Sequence, residues 1–412
     1  MNTAGRTCQP IKAEDMLLQL KTSFLSIFSM NKTHSLMSYM LVFSHVLQGF
    51  LLDNKIFGVP VWFLMSLLFL PFVYHYSKLL LNLRNVSLKI VYSYLFLLTI
   101  LLSVLNLYSS SFKKAATVWV GMLVATVIFY EYRNRINVFI KLIIVVILVQ
   151  SVFSIMQFHF DFEFFEGFTR RTGDRGSSGT FGFPVPYGYF MLTFFPIVYP
   201  FILSFFKKTR PLNNIFIVFL SLLGCYGLLL SFQRGVIILT VASIIVINMF
   251  ILKRSLNLII LLLMALLVFV FFQLYDPAKD LLSWDIIATR VINQYTWITQ
   301  NDSSNSPHVY IYNLFLYYGF IGLFLILVFY TILLGVILKH HKYSSKNLPN
   351  GALIGSIMSI VSYHANALFH NNGHFAYDVV GFISIGYVFA LIYFISEKHH
   401  HSSYHSEGNS AL

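Results

Sequence analysis

Two residues with ionisable side chains stand where this chain passes between polar and long apolar sequence: His308 and Arg234. Ser306-Pro307-His308 closes a polar segment that starts near Trp284 and also holds Arg290, eighteen residues before the histidine. Histidine is the side chain that most readily gains or loses a proton near neutral pH. If a helix begins near Ser306, then Tyr312, Phe315 and Gly319 share the face of His308, at i+4, i+7 and i+11. Gly319 then allows close helix packing about three turns below. Arg234 lies in Ser231-Phe232-Gln233-Arg234-Gly235, a tight turn between two apolar runs. An arginine there either snorkels to the interface or acts as a fixed cation for a diphosphate, with Gly235 letting the phosphate approach the backbone.

A second polar segment runs from about Phe158 to Pro184 and includes Arg170, Arg171 and Arg175 followed by Gly176-Ser-Ser-Gly179-Thr-Phe181. Glycine opens backbone conformations closed to other residues, and guanidinium groups present planar forks to phosphate. The composition fits an anion site or a basic hairpin at a membrane surface. Pro184 and Pro186 fit the first turn of the helix that follows. Metal-ligand spacing is missing around His308, and the run His399 to His401 reads as a solvated tail.

The elements that must position these residues are membrane helices. Of all residues 57% are hydrophobic and 10% charged, too few polar groups to clothe a water-soluble enzyme. About twelve apolar segments are long enough to cross a bilayer as helices. Their centres lie near Phe43, Leu67, Phe96, Leu123, Val145, Phe195, Leu220, Leu239, Leu263, Leu325, Met358 and Val388. The expected fold is an all-α integral membrane protein with longer outer loops at about 158–184 and 275–308. A polar tail (1–35), one membrane domain (36–396) and a second tail (397–412) make up the chain.

Lysines and arginines give the orientation. Only nine of the 28 fall on the side of Arg234 and His308, and the other side holds compact clusters such as Lys207-Lys208-Thr209-Arg210. The positive-inside rule puts both termini in the cytoplasm and His308 outside. The net charge of +13 is thereby a topology signal, and no nucleic-acid partner is needed to explain it. Cys8 and Cys225 fall too far apart to pair, and the first apolar helix is expected to remain as an uncleaved anchor.

The order Gly179-Thr-Phe-Gly-Phe-Pro-Val-Pro-Tyr-Gly188, then Ser231-Phe-Gln-Arg234-Gly, then His308 followed by Gly319 resembles the O-antigen ligase and Wzy-type polymerase superfamily, over roughly residues 90–395. The resemblance implies a metal-independent, inverting glycosyltransferase of the bacterial inner membrane, needing no cofactor. It would use an undecaprenyl-diphosphate-linked oligosaccharide on the periplasmic face. By motif position His308 would be the general base, a role a neutral imidazole can fill. Arg234 and Arg290 would hold the diphosphate, with Arg175 a third cation; Gly235, Gly319 and Tyr312 would support them. The chain departs from the pattern at Gln233, at Val291-Ile-Asn after Arg290 and at Val309. With its short outer loop, it leans to polymerase over ligase. The acceptor would be a glycan or lipid, and other polysaccharide-assembly proteins are candidate partners. A transporter or flippase for the same lipid would need ionisable groups along a crossing path, whereas here they gather on one side.

Overall fold

The computed structural model describes residues 55–56, 59–60, 83, 85–108, 112–160, 162, 176–181, 184–204, 211–251, 255–274, 310–341, 351–367 and 380–408. Apart from a two-residue antiparallel ladder pairing Lys55–Ile56 with Val59–Pro60, these residues are almost entirely helical. In chain order the helices are α1 (Val86–Tyr108), α2 (Phe112–Tyr132), α3 (Ile136–Phe160), α4 (Pro184–Ser204) and α5 (Pro211–Leu229). After them come α6 (Arg234–Ile251), α7 (Ser255–Leu274), α8 (Tyr310–His341), α9 (Ala352–Ala367) and α10 (Val380–Gly408). Each expected centre from Phe96 to Val388 falls inside one of them; Phe43 and Leu67 lie outside the described residues. Among the described residues four spans are long and apolar enough to cross a membrane: Val86–Leu105, Ile136–Phe160, Val185–Ser204 and Asn313–His340. The protein is therefore a helical membrane protein.

Local chemistry sets the helix ends. Asn85 caps α1, its Oδ1 accepting from the Leu88 N–H at 2.9 Å, which satisfies a donor that the first turn leaves free. Pro184 and Pro186 open α4, where their missing N–H groups cost nothing and their φ is already helical. Pro196 and Pro200 sit inside the same helix. Their missing N–H groups leave the Leu192 and Pro196 carbonyls without helical donors, and in the same turn the Ser359 hydroxyl of α9 donates to the adjacent Thr193 carbonyl at 2.6 Å.

Helix α4 is the hub, with 94% of its span buried against 39% for α8. It packs on α9 and α6, which also pack on each other. Gly355 of α9 lies against the Pro196 carbonyl, where a side chain would collide. Around this triad, α3 packs on α5 and α5 on α7, while α2 packs on α10 and α1, and α1 on α8. Gly386 meets the Ala125 backbone where α10 crosses α2. Small residues at such crossings bring backbones close, which is where membrane helices gain packing energy when lipid competes for every apolar side chain.

Contacts along the helices define the two ends of the bundle. Gly188 of α4 lies beside Gln233 and Val236, and Tyr199 lies beside Asn248, at 3.0 Å from hydroxyl to amide. Hence α4 and α6 run parallel and start at the same end. Gly235 meets Asn366 and Ser243 meets Ser362 at 2.7 Å, so α9 runs the other way and finishes beside their starts.

Helix α8 departs from expectation. Gly319 has φ 64° and ψ −173°, a break within the helix, and among the described residues a Cβ there would meet nothing within 4 Å. No described residue packs closely on this glycine. It supplies a backbone turn that other residues adopt only with strain. The single straight face expected to link His308, Tyr312, Phe315 and Gly319 is interrupted at its fourth member.

Candidate functional site

The polar side chains inside α3 prepare the site. Gln150, Ser151, Ser154 and Gln157 recur along one face of an otherwise apolar helix, and all four are buried. A glutamine placed there needs partners, since an unsatisfied amide in a membrane interior is costly. The two glutamines find them in the backbone of the Gly176–Phe181 turn. Gln150 Oε1 accepts from the Thr180 N–H at 2.9 Å, and its Nε2 donates to the Thr180 hydroxyl. Gln157 Oε1 accepts from the Ser178 N–H at 3.1 Å, and its Nε2 donates to the Gly179 carbonyl at 2.7 Å. Each carboxamide thus uses both of its ends. The Ser154 and Ser177 hydroxyls are bonded to each other.

The clamped turn is laid directly on the segment that introduces α6. Ser177 donates its N–H to the Leu230 carbonyl at 2.8 Å, and its hydroxyl donates to the same oxygen at 3.1 Å. Gly176, with φ +85°, sits so close to the Leu230 and Ser231 backbone that a Cβ would collide with it. Gly179, with φ +56°, leaves room for Gln150 and the Tyr187 ring. Both glycines are required, by conformation and by space. Two motifs more than fifty residues apart in sequence thereby become one structure.

The turn before α6 is strained. Phe232 adopts φ 50°, a region unfavourable for a bulky side chain, at roughly 1–3 kcal/mol. Its ring is held from two sides, 5.5 Å from Phe158 of α3 and 5.5 Å from Phe271 of α7. The Ser231 hydroxyl donates to the Leu228 carbonyl at 2.7 Å and accepts from the Gln233 N–H at 3.3 Å. Nearby, His159 bonds the Tyr226 hydroxyl at 2.6 Å.

Arg234 is the first residue of α6 and is half-buried. Its guanidinium group, the starting turn of α6 and the starting turn of the parallel α4 all lie at one end of the bundle. Helix starts carry partial positive charge and free N–H groups, so this end is electrostatically suited to an anion. Gly235 was expected to admit a phosphate to the backbone; its Cβ position is taken up by the Asn366 side chain of α9. His308, Arg290 and Arg175 lie outside the described residues, Arg175 immediately before Gly176 in the chain. Tyr312 is in the first turn of α8.

Sequence reading had not singled out Gln150, Gln157 or Asn366. The glutamines had a signal, four polar residues in phase on a long apolar helix. Asn366 had a similar signal, continuing the run of Ser356, Ser359 and Ser362 at helical spacing along α9. Among the described residues no three His, Cys, Asp or Glu side chains converge as metal ligands. Compared with protein-family models, with curated proteins and with solved structures, the chain has no match in any of the three.

Proposed function

We propose that this protein is a membrane glycosyltransferase that acts on an undecaprenyl-diphosphate-linked glycan at the outer face of the bacterial inner membrane, polymerising surface-polysaccharide repeats. The observation that carries this reading is the union of the Gly176–Phe181 turn with the Ser231–Gly235 turn. It sets Arg234 at a helix start within a rigid, glycine-built frame. Such a frame suits the phosphates of a lipid carrier, whose glycan must remain in water while its tail stays in the bilayer.

In this reading about twelve helices cross the membrane, both termini are cytoplasmic, and the Arg234 end faces outward. His308 takes the proton from an acceptor hydroxyl. The freed oxygen attacks the anomeric carbon of the donor glycan, the bond from that carbon to the diphosphate oxygen breaks, and undecaprenyl diphosphate leaves with the electron pair. Arg234 and Arg290, with Arg175 beside them, hold the diphosphate and offset the charge that grows on it. Attack from the face opposite the leaving group inverts the anomeric centre.

Replacing His308 with Ala tests the proposal in cells lacking the native gene. The expected result is loss of polymer, with single repeats left on their final acceptor, at undiminished levels of the mutant protein. Normal polymer would refute catalysis by His308. Complete polymer held on undecaprenyl diphosphate in the deletion strain would instead identify a ligase.

A further inference from the structure

Asn366 lies in the last turn of α9 and is 1% exposed. Among the described residues neither its Oδ1 nor its Nδ2 has a hydrogen-bond partner. Deeper along the interface of α4, α6 and α9, several polar side chains find partners. Ser243 meets Ser362 at 2.7 Å, Ser359 meets the Thr193 carbonyl at 2.6 Å, and Asn248 donates to Tyr199 at 3.0 Å. Thr240 Oγ1 and Asn248 Oδ1 of α6 also lack partners among the described residues, but Asn366, at the end of the seam where α6 starts, has both its donor and its acceptor unmet. It is aimed at the start of α6, because Oδ1 is the atom that a Cβ on Gly235 would strike. Burying both a donor and an acceptor without partners is unfavourable, and a ligand that supplies the missing bonds recovers that cost on binding.

The chemistry of the ligand follows from the groups that face it. A carboxamide both donates and accepts, and its natural counterpart is a hydroxyl, which does the same. One residue away, the first turn of α6 and the Arg234 guanidinium favour an anion. A hydroxyl and an anion side by side describe a sugar phosphate. We propose that Asn366 and the Arg234–Gly235 turn form a subsite for the glycosyl phosphate end of the lipid-linked donor, with Asn366 reading a hydroxyl of the first sugar. The identity of this ligand rests on the glycan-transfer reading above. Gly235 is part of the device, since any side chain there displaces the carboxamide.

Full-length protein in lipid nanodiscs provides the test, with two probes: undecaprenyl diphosphate, and the same lipid carrying one N-acetylglucosamine. Wild-type protein is expected to bind the glycosylated probe about tenfold more tightly. Asn366→Leu should abolish that preference, keep its affinity for the bare lipid, and melt no lower than wild type, because an unpartnered amide is exchanged for an apolar group of similar shape. Gly235→Ala should reduce the same preference. A preference that survives either substitution, or an Asn366→Leu protein that melts well below wild type, overturns the subsite. Equal wild-type binding of both probes also overturns it while leaving the diphosphate reading in place. Binding of neither probe overturns both.

Discussion

The two ends of the helical bundle are built by opposite rules. At one end Asn85 satisfies itself fully: its Oδ1 caps α1, and its Nδ2 reaches His340 of α8 at 3.2 Å and Ser396 of α10 at 2.5 Å. Lys339 adds a bond to Ser87 at 3.3 Å. One side chain thus ties three helices together in ordinary helical geometry. At the other end, Gly176, Gly179 and Phe232 all take positive φ, buried glutamines stand in for secondary structure, and the Asn366 carboxamide has no partner among the described residues. The first end is a staple. The second stores strain and unmet bonding capacity, which folded chains accumulate where they bind or react.

Substitutions can break this comparison. The largest effect is expected from Gln157→Leu, which strands the Ser178 N–H and the Gly179 carbonyl in an apolar interior. With two buried groups unsatisfied at about 1–3 kcal/mol each, the melting temperature in detergent should fall and glycan transfer should disappear. If transfer survives per folded molecule, the clamp serves stability alone and the two ends differ less than argued. Next comes Arg234→Lys, which keeps the charge but loses the planar fork. Glycan transfer should drop roughly tenfold or more with the melting temperature unchanged, and full activity would reduce Arg234 to an interfacial anchor. The smallest effect is expected from Asn85→Ala at the stapled end. It should cost about 0.5–2 kcal/mol of stability through the lost cap, read by thermal melting, while leaving transfer per folded molecule at the wild-type level. A loss of transfer there would show that the ends are coupled.

Several features of the site were legible in the residues. The tight turn at Ser231–Gly235 is present, with α5 ending at Leu229 and α6 beginning at Arg234. Pro184 does open α4, as a residue lacking an N–H and locked at helical φ should. These are local properties, decided by a few neighbouring residues. The break at Gly319 was not legible, for the converse reason. A glycine in an apolar run fits close packing and a broken helix equally well, and only the path of α8 distinguishes them. Gly235 was read as a place where phosphate approaches the backbone, and the neighbour its Cβ would meet is Asn366 of α9, 131 positions later in the chain.

What the residues alone determined is the medium and the elements. With 57% of residues hydrophobic and few charges, the chain must fold in a bilayer, and a backbone without water to bond must close its own hydrogen bonds as helices. Tertiary structure decided which polar groups meet. The laying of Gly176–Phe181 on Leu230–Ser231, the parallel starts of α4 and α6, and the burial of Asn366 against Gly235 all depend on contacts between distant segments. Such contacts arise when helix faces compete to bury polar stripes against one another rather than against lipid. Periodicity shows that a stripe exists, and only packing chooses its partner.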